Sequence, residues 1–226
     1  VKSPDLSLEM AAWAEGYRVI AGIDEAGRGA WAGPVAAAAV VLPPPSPELG
    51  RRLHGVRDSK TLSEGQRDRL FDIIASEALA VGVGMVSNQV IVDQGIAVAT
   101  RQAMAEAVQA LVLRPDFLLI DYVRLPQVAI PQKSIRRGDA TSLSIAAASI
   151  IAKVSRDRLM VEAAATYPAY GFERHKGYGT RAHRQVLSEH GFTPFHRHTW
   201  APFQTLADQS SALGRQSPAG NWEVVA

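Results

Sequence analysis

Asp24 and Glu25 stand side by side at the end of an apolar run, Val19-Ile20-Ala21-Gly22-Ile23, and Gly27-Arg28-Gly29 follows almost at once. Two carboxylates at close range raise each other's pKa and are costly to keep ionised together without a cation. A hard divalent cation removes that cost, because such ions take carboxylate oxygens as ligands. Arg28 fits a ligand that carries phosphate, and the glycines on either side of it let a backbone approach closely. The stretch reads as a metal-dependent phosphate-chemistry site. Two other readings compete. An Asp-Glu pair can simply end a strand at the surface. The glycines could form a dinucleotide-binding loop, but Gly27, Gly29 and Gly33 follow a G-x-G-x-x-x-G spacing, and two acids would sit where a pyrophosphate needs positive potential.

Two further acids extend the pattern. Asp121 ends a second wholly apolar run, Phe117-Leu118-Leu119-Ile120, so it is either a strand terminator or a partner of Asp24 on an equivalent strand end. Asp139 lies in Arg136-Arg137-Gly138-Asp139-Ala140-Thr141-Ser142, ahead of a helix expected over 142–165. A carboxylate there can cap free backbone N–H groups or serve the site.

The elements that must position these acids follow from periodicity. Residues 1–15 have mixed helical character and are expected to pack outside the sheet; Gly16 opens the first strand. Val35 to Leu42 is apolar and stopped by Pro43-Pro44-Pro45, which favours a buried strand antiparallel to the first. Residues 43–57 read as a proline-rich, polar connection. Ser63 with Gln66 is a capping-box pattern for the next helix. Val81-Gly82-Val83-Gly84-Met85-Val86 alternates with period two and predicts a third strand whose glycines mark close backbone approach. Spacing over 96–113 predicts an amphipathic helix ended by Arg114-Pro115. The run 117–121 is then expected to return parallel to the first strand, with sites at the strands' carboxyl ends. In the long helix after Asp139, Asp157 and Arg158 are expected to make structural ion pairs.

The chain has 226 residues, 47% of them hydrophobic and 20% charged, a formal net charge of +2 and no cysteine. These values suit one substantial domain, or one domain with an appendage, and they exclude disulfides, thiolate ligands and a cysteine nucleophile. The first nine residues carry two acids and no apolar core, and no run approaches the length of a membrane span, so a cytoplasmic protein is expected. From Tyr167 the chain turns aromatic and basic, and cations interleaved with aromatics suit a nucleic-acid surface. A zinc site from His183, His196 and His198 is the weaker alternative, with no cysteine to support it. Periodicity is lost from Pro202 onward, and residues 205–226 read as a mobile tail.

Taken in order, Asp24-Glu25-Ala26-Gly27-Arg28-Gly29 with Gly33-Pro34-Val35, Asp58-Ser59-Lys60, Leu119-Ile120-Asp121, Gly138-Asp139 with Ser144 to Lys153, and His175-Lys176-Gly177-Tyr178-Gly179-Thr180 resemble the ribonuclease HII family. The resemblance runs from about residue 18 to about residue 200. It implies an α/β, ribonuclease H-like fold, with a mixed central sheet of about five strands flanked by helices and a helical C-terminal extension. The catalytic core would span 16–166, the extension 167–204 and the tail 205–226. The implied activity is metal-dependent hydrolysis of the RNA strand of RNA–DNA hybrids, with incision 5′ of single ribonucleotides embedded in duplex DNA, as in ribonucleotide excision repair. By resemblance, Asp24, Glu25, Asp121 and Asp139 are the active-site acids and hold two Mg2+ or Mn2+ ions. Gly27, Arg28 and Gly29 match the turn that senses the 2′-hydroxyl, Tyr178 matches a tyrosine that stacks on the sugar next to the junction, and Lys60 is a substrate-binding residue. A monomer is expected.

Three departures from the family pattern stand out: Arg137 in place of lysine, Tyr122 in place of glycine, and His196-Arg197-His198-Thr199-Trp200 near the end. Rival readings are a non-catalytic hybrid-binding module, a type HIII ribonuclease and a junction resolvase.

Overall fold

The computed structural model describes residues 3–200 and Phe203. Helix α1 (Ser7–Ala14) comes first, and Gly16, at φ +103°, turns the chain out of it, so strand β1 begins only at Ile20 (Ile20–Ala26). Strand β2 (Val35–Val41) and helix α2 (Pro47–Arg52) follow, then helix α3 (Glu64–Glu77), strand β3 (Ala80–Val86), and helices α4 (Asn88–Gln94) and α5 (Ile96–Gln109). Strands β4 (Phe117–Asp121) and β5 (Gln132–Ile135) precede the long helix α6 (Leu143–Thr166) and the short helices α7 (Phe172–His175) and α8 (Arg181–His190).

The five strands form one mixed sheet in the order β3-β2-β1-β4-β5. β1 pairs antiparallel with β2 and parallel with β4, as the apolar runs predict. β5 adds parallel to β4 at the edge. Both sheet faces are covered. Ala37, Ala39 and Val41 of β2 pack with Ala103, Met104 and Ala107 of α5 on one face. Ala38 and Val40 pack with Ala147, Ile150 and Ile151 of α6 and Ile74 of α3 on the other. Small residues bring these layers close: a Cβ on Gly82 would lie 2.1 Å from the carbonyl oxygen of Ala107 on α5. Strand β2 is therefore buried on both sides, which is why it reads as an unbroken apolar run.

Several local expectations hold and some are corrected. The Ser63–Gln66 capping box is present at α3. Helix α5 ends at Gln109, short of the expected Leu113, because Ala110 caps it before the Arg114-Pro115 stop. The connection after β2 contains α2, started by Pro47 with Ser46 as N-cap. The expected structural ion pairs form: Asp157 pairs with Lys153 and Arg67, and Arg158 with Asp68.

Beyond α6 the chain folds back on that helix. Tyr170, Phe172, Leu187 and Phe203 gather around Ala32 and Met160 in a third core cluster. Phe172 is fully buried there, and truncating it would cost about 3–5 kcal/mol. The tail expected over 205–226 lies outside the described residues. No described helix is long and apolar enough to cross a membrane.

Candidate active site

Four carboxylates from three separated stretches of chain converge at the carboxyl ends of β1 and β4. The parallel register pairs Ile23 with Ile120, which sets Asp24 and Asp121 at neighbouring strand ends. Asp139 joins them from a single 3-10 turn, Gly138–Ala140. The Gly138 N–H donates to Asp121 Oδ1 at 2.7 Å, tying that turn to the strand end. Asp139 is therefore not the cap of α6: Ser142 is, its hydroxyl accepting from the Ile145 N–H at 3.2 Å.

The alternation of a strand requires Asp24 and Glu25 to leave opposite faces. Asp24 stands beside Ala38 on the α6 side, and Glu25 beside Ala37 on the α5 side. The turn at Gly27 comes after the pair, since β1 runs unbroken to Ala26, so no turn separates the two acids. Glu25 Oε1 accepts from Arg28 at 3.2 Å, while its Oε2 is buried with no hydrogen-bond partner. The Glu25 N–H donates to Asp24 Oδ1 at 2.7 Å.

Electrostatics describe a site short of positive charge. Burial raises the pKa of Asp24 well above the carboxylate range, and Glu25 and Asp121 raise it further. Burial also raises Glu25, against the opposing pull of Arg28. For Asp121, burial outweighs the Gly138 N–H and Lys60; for Asp139, burial acts together with Asp58 and Asp121. Burial alone would lower Lys60, yet Asp58, Asp24, Asp139 and Glu25 hold its pKa above the ordinary value. Among the described residues no three of these side chains already close on one point as a coordination shell. The donor set is nonetheless all hard oxygen, with one buried carboxylate oxygen left unpartnered, and it fits hard divalent cations of the Mg2+ class.

The remaining expected residues surround the acids. Lys60 lies in a 3-10 turn, Ser59–Thr61, whose Ser59 bonds Ser149 on α6 at 2.8 Å. Gly27 takes φ +90° and passes Arg156 so closely that no side chain fits, whereas a Cβ on Gly29 would meet nothing within 4 Å. Gly27 is thus demanded by the fold and Gly29 is not. Tyr178 is partly buried, with Lys153 and Arg156 each 5.3 Å from its ring centroid. It is held beside the glycine turn because the Gly177 carbonyl accepts from the N–H groups of Trp31 and Ala32.

Among the described residues, His183, His196 and His198 do not gather as a ligand set. His183 and His196 bond each other through their Nε2 atoms at 3.0 Å, and His198 is exposed against Phe192. The Thr193 N–H donates to His196 Nδ1 at 2.9 Å, so His196 carries its proton on Nε2 and gives it to His183. His183 then holds its own proton on Nδ1 and donates to the Tyr178 carbonyl at 3.0 Å. This chain of neutral imidazoles fixes the backbone of Tyr178.

Some contributors carry no local signal in the sequence. Asp58 opens the Asp58-Ser59-Lys60 stretch, yet only the fold brings it near Asp121 and Asp139. Arg156 and Arg197 are fully buried and bond backbone carbonyls: Arg156 those of Ala32, Pro34 and Lys176, Arg197 those of Arg28, Gly33 and Pro34. They clamp the loop after β1 to the extension.

Comparison with known proteins shows which family the chain belongs to. The family model described as Ribonuclease HII matches residues 21–203. The chain is 54% identical over 206 residues to a ribonuclease HII of Chloroflexus aggregans, covering 91% of this chain and 97% of that one. It is 51% identical over 210 residues to one of Dehalococcoides mccartyi, covering 91% and 96%. Among solved structures, the ribonuclease H2 of Pyrococcus horikoshii superposes with a TM-score of 0.71 at 26% identity, over 85% of this chain and 98% of that one. A mixed sheet with carboxylates at two parallel strand ends, matched over nearly its whole length in sequence, makes this chain a member of the ribonuclease HII family.

Proposed function

We propose that Asp24, Glu25, Asp121 and Asp139 hold two Mg2+ or Mn2+ ions, and that Gly27, Arg28, Gly29, Lys60 and Tyr178 seat the substrate across them. As a ribonuclease HII, the chain is an endoribonuclease of the ribonuclease H type that cleaves the RNA strand of RNA–DNA hybrids and depends on divalent metal. A cytoplasmic monomer that also incises duplex DNA 5′ of a lone ribonucleotide, leaving 5′-phosphate and 3′-hydroxyl ends, belongs to the same proposal. One observation carries the residue assignment: carboxylates from three stretches of chain lie within electrostatic reach of one another with raised pKa values, and one buried oxygen among them has no partner.

When bound, the ions supply an activated water and charge for the leaving 3′ oxygen. The protein's own groups do the placing. Arg28 holds one oxygen of Glu25 and leaves the other free. Lys60, fixed in its protonated form by four carboxylates, offers a cation to a phosphate at the rim. Open space at Gly29 admits a sugar to the backbone, where N–H and C=O groups can read a 2′-hydroxyl at any base. Tyr178 supplies a ring face at the same turn. Recognition of this kind carries no base sequence.

The test is Asp24→Asn. Cleavage of a hybrid with Mg2+ or Mn2+ should be abolished while hybrid binding stays within about threefold, and the metal-induced rise in melting temperature seen for the parent chain should shrink. Retained metal-dependent turnover would refute the assignment. The rival reading, a binding module without catalysis, is separated by whether the parent chain cuts at all.

A further inference from the structure

Tyr122 follows Asp121 directly, so its Cα lies about 3.8 Å from that of a proposed metal ligand. Its φ is +56°, the left-handed region that aromatic residues seldom occupy, at a cost on the order of 1 kcal/mol. The backbone is nevertheless fixed there, its N–H donating to the Ile135 carbonyl at 2.9 Å. The side chain contributes nothing to the core: Tyr122 is 68% exposed, and its ring stacks on no described ring or cation. A strained backbone that carries an exposed aromatic beside the chemistry calls for a role outside the fold.

Its surroundings say what that role touches. Arg124 lies two residues on, and Arg136 and Arg137 follow the very residue whose carbonyl holds Tyr122. All three arginines are exposed and none forms an ion pair with a described residue; other exposed arginines share that, and it is the place of these three beside Tyr122 that sets them apart. Unpaired guanidinium groups that neighbour an exposed aromatic along the chain and across the Asp121–Ile135 strand pairing, next to a phosphate-chemistry site, suit a nucleic-acid backbone. The strip lies on the β4–β5 side of the carboxylates, while Tyr178 approaches by the loop between β1 and β2. We infer that Tyr122, Arg124, Arg136 and Arg137 form a second substrate-contact surface, which grips the duplex flank on the side away from Tyr178, with Tyr122 against a sugar and the arginines on phosphates.

This inference rests on the reading that a hybrid lies across the four acids. That reading fails if the parent chain does not cleave; the inference fails only in variants of a chain that does. The experiment uses the full chain with Tyr122→Gly and with Arg124→Ala/Arg136→Ala, steady-state cleavage of a long hybrid at several salt concentrations, and thermal unfolding. Tyr122→Gly should melt no lower than the parent, since glycine accepts φ +56° freely, yet raise KM at least about fivefold with kcat within about twofold. The double arginine variant should flatten the dependence of log KM on log salt by about two. An unchanged KM for Tyr122→Gly together with an unchanged salt slope for the arginine variant overturns the inference, and leaves the strip to a protein partner.

Discussion

Gly27 passes Arg156 so closely that a Cβ at residue 27 would lie 2.0 Å from the guanidinium Nε, while one at Gly29, two residues on, would touch nothing. The two glycines of one short motif therefore answer to different demands. Gly27→Ala must strain a backbone at φ +90° and displace a buried arginine that bonds three carbonyls, so it should lose about 2–4 kcal/mol of stability in denaturant. Gly29→Ala should fold within about 0.5 kcal/mol of the parent and yet cut at a lone ribonucleotide at least about tenfold more slowly. Equal stability of the two variants would show that Arg156 does not hold the turn.

The same contrast marks how far the sequence could be read. β1, β2 and β4 are buried on both faces, so they announce themselves as apolar runs, and their carboxyl ends point to Asp24 and Asp121. β5 escapes because Gln132-Lys133-Ser134-Ile135 is a half-exposed edge strand with no such run. An acid ahead of a helix looks like a cap whether it caps or not; only the separate turn at Gly138–Ala140, with Ser142 as the true cap, frees Asp139 for the site. The bond between His183 and His196 joins residues thirteen apart across a loop, and no local pattern encodes it.

That histidine pair predicts a pH dependence of stability. Burial, with help from His175, lowers His183 from 6.5 to about 4; burial, with help from His183, lowers His196 from 6.5 to about 3. The unfolded chain takes up protons below pH 6.5 that the folded chain refuses, so this contribution is complete above 6.5 and falls away as pH drops toward about 4 and then about 3. The raised carboxylates of the site act with the opposite sign, because there the folded state binds protons more readily. Urea midpoints from pH 7.5 down to 4.5 should therefore fall in the parent chain more steeply than in a His183→Asn/His196→Asn variant. Parallel curves would remove the pair as the cause.

Glu9 predicts a second structural dependence, reaching from α1 to the site. It is 1% exposed, and its Oε1 accepts from the hydroxyls of Ser142 and Ser144, each at 2.6 Å, and from the Ser144 N–H at 3.0 Å. Asp139 lies three residues before Ser142, so α1 steadies the turn that carries it. Glu9→Ala would strand three buried donors and should cost about 2–4 kcal/mol, with weaker apparent Mg2+ affinity read from the metal dependence of cleavage. Glu9→Gln keeps an accepting oxygen and should recover most of the stability. An alanine variant with unaltered melting and metal response would dismiss the strap.

Tyr178 carries the sharpest prediction about substrate. Its ring lies near Lys153 and Arg156, and its backbone is held by Trp31 on one side, through Gly177, and by His183 on the other. A ring so placed beside the loop that follows β1 can stack on one sugar or base face, an interaction worth about 1–3 kcal/mol. A long hybrid offers many equivalent registers and other contacts to compensate, whereas a single ribonucleotide in DNA offers one. Tyr178→Ala should therefore reduce kcat/KM at a lone ribonucleotide by about five- to 150-fold, and by several times less on a long hybrid. Tyr178→Phe keeps the ring and should stay close to the parent on both substrates. Cleavage rates on matched duplexes decide it, and an equal loss on the two substrates would make Tyr178 a structural residue rather than one that senses the junction.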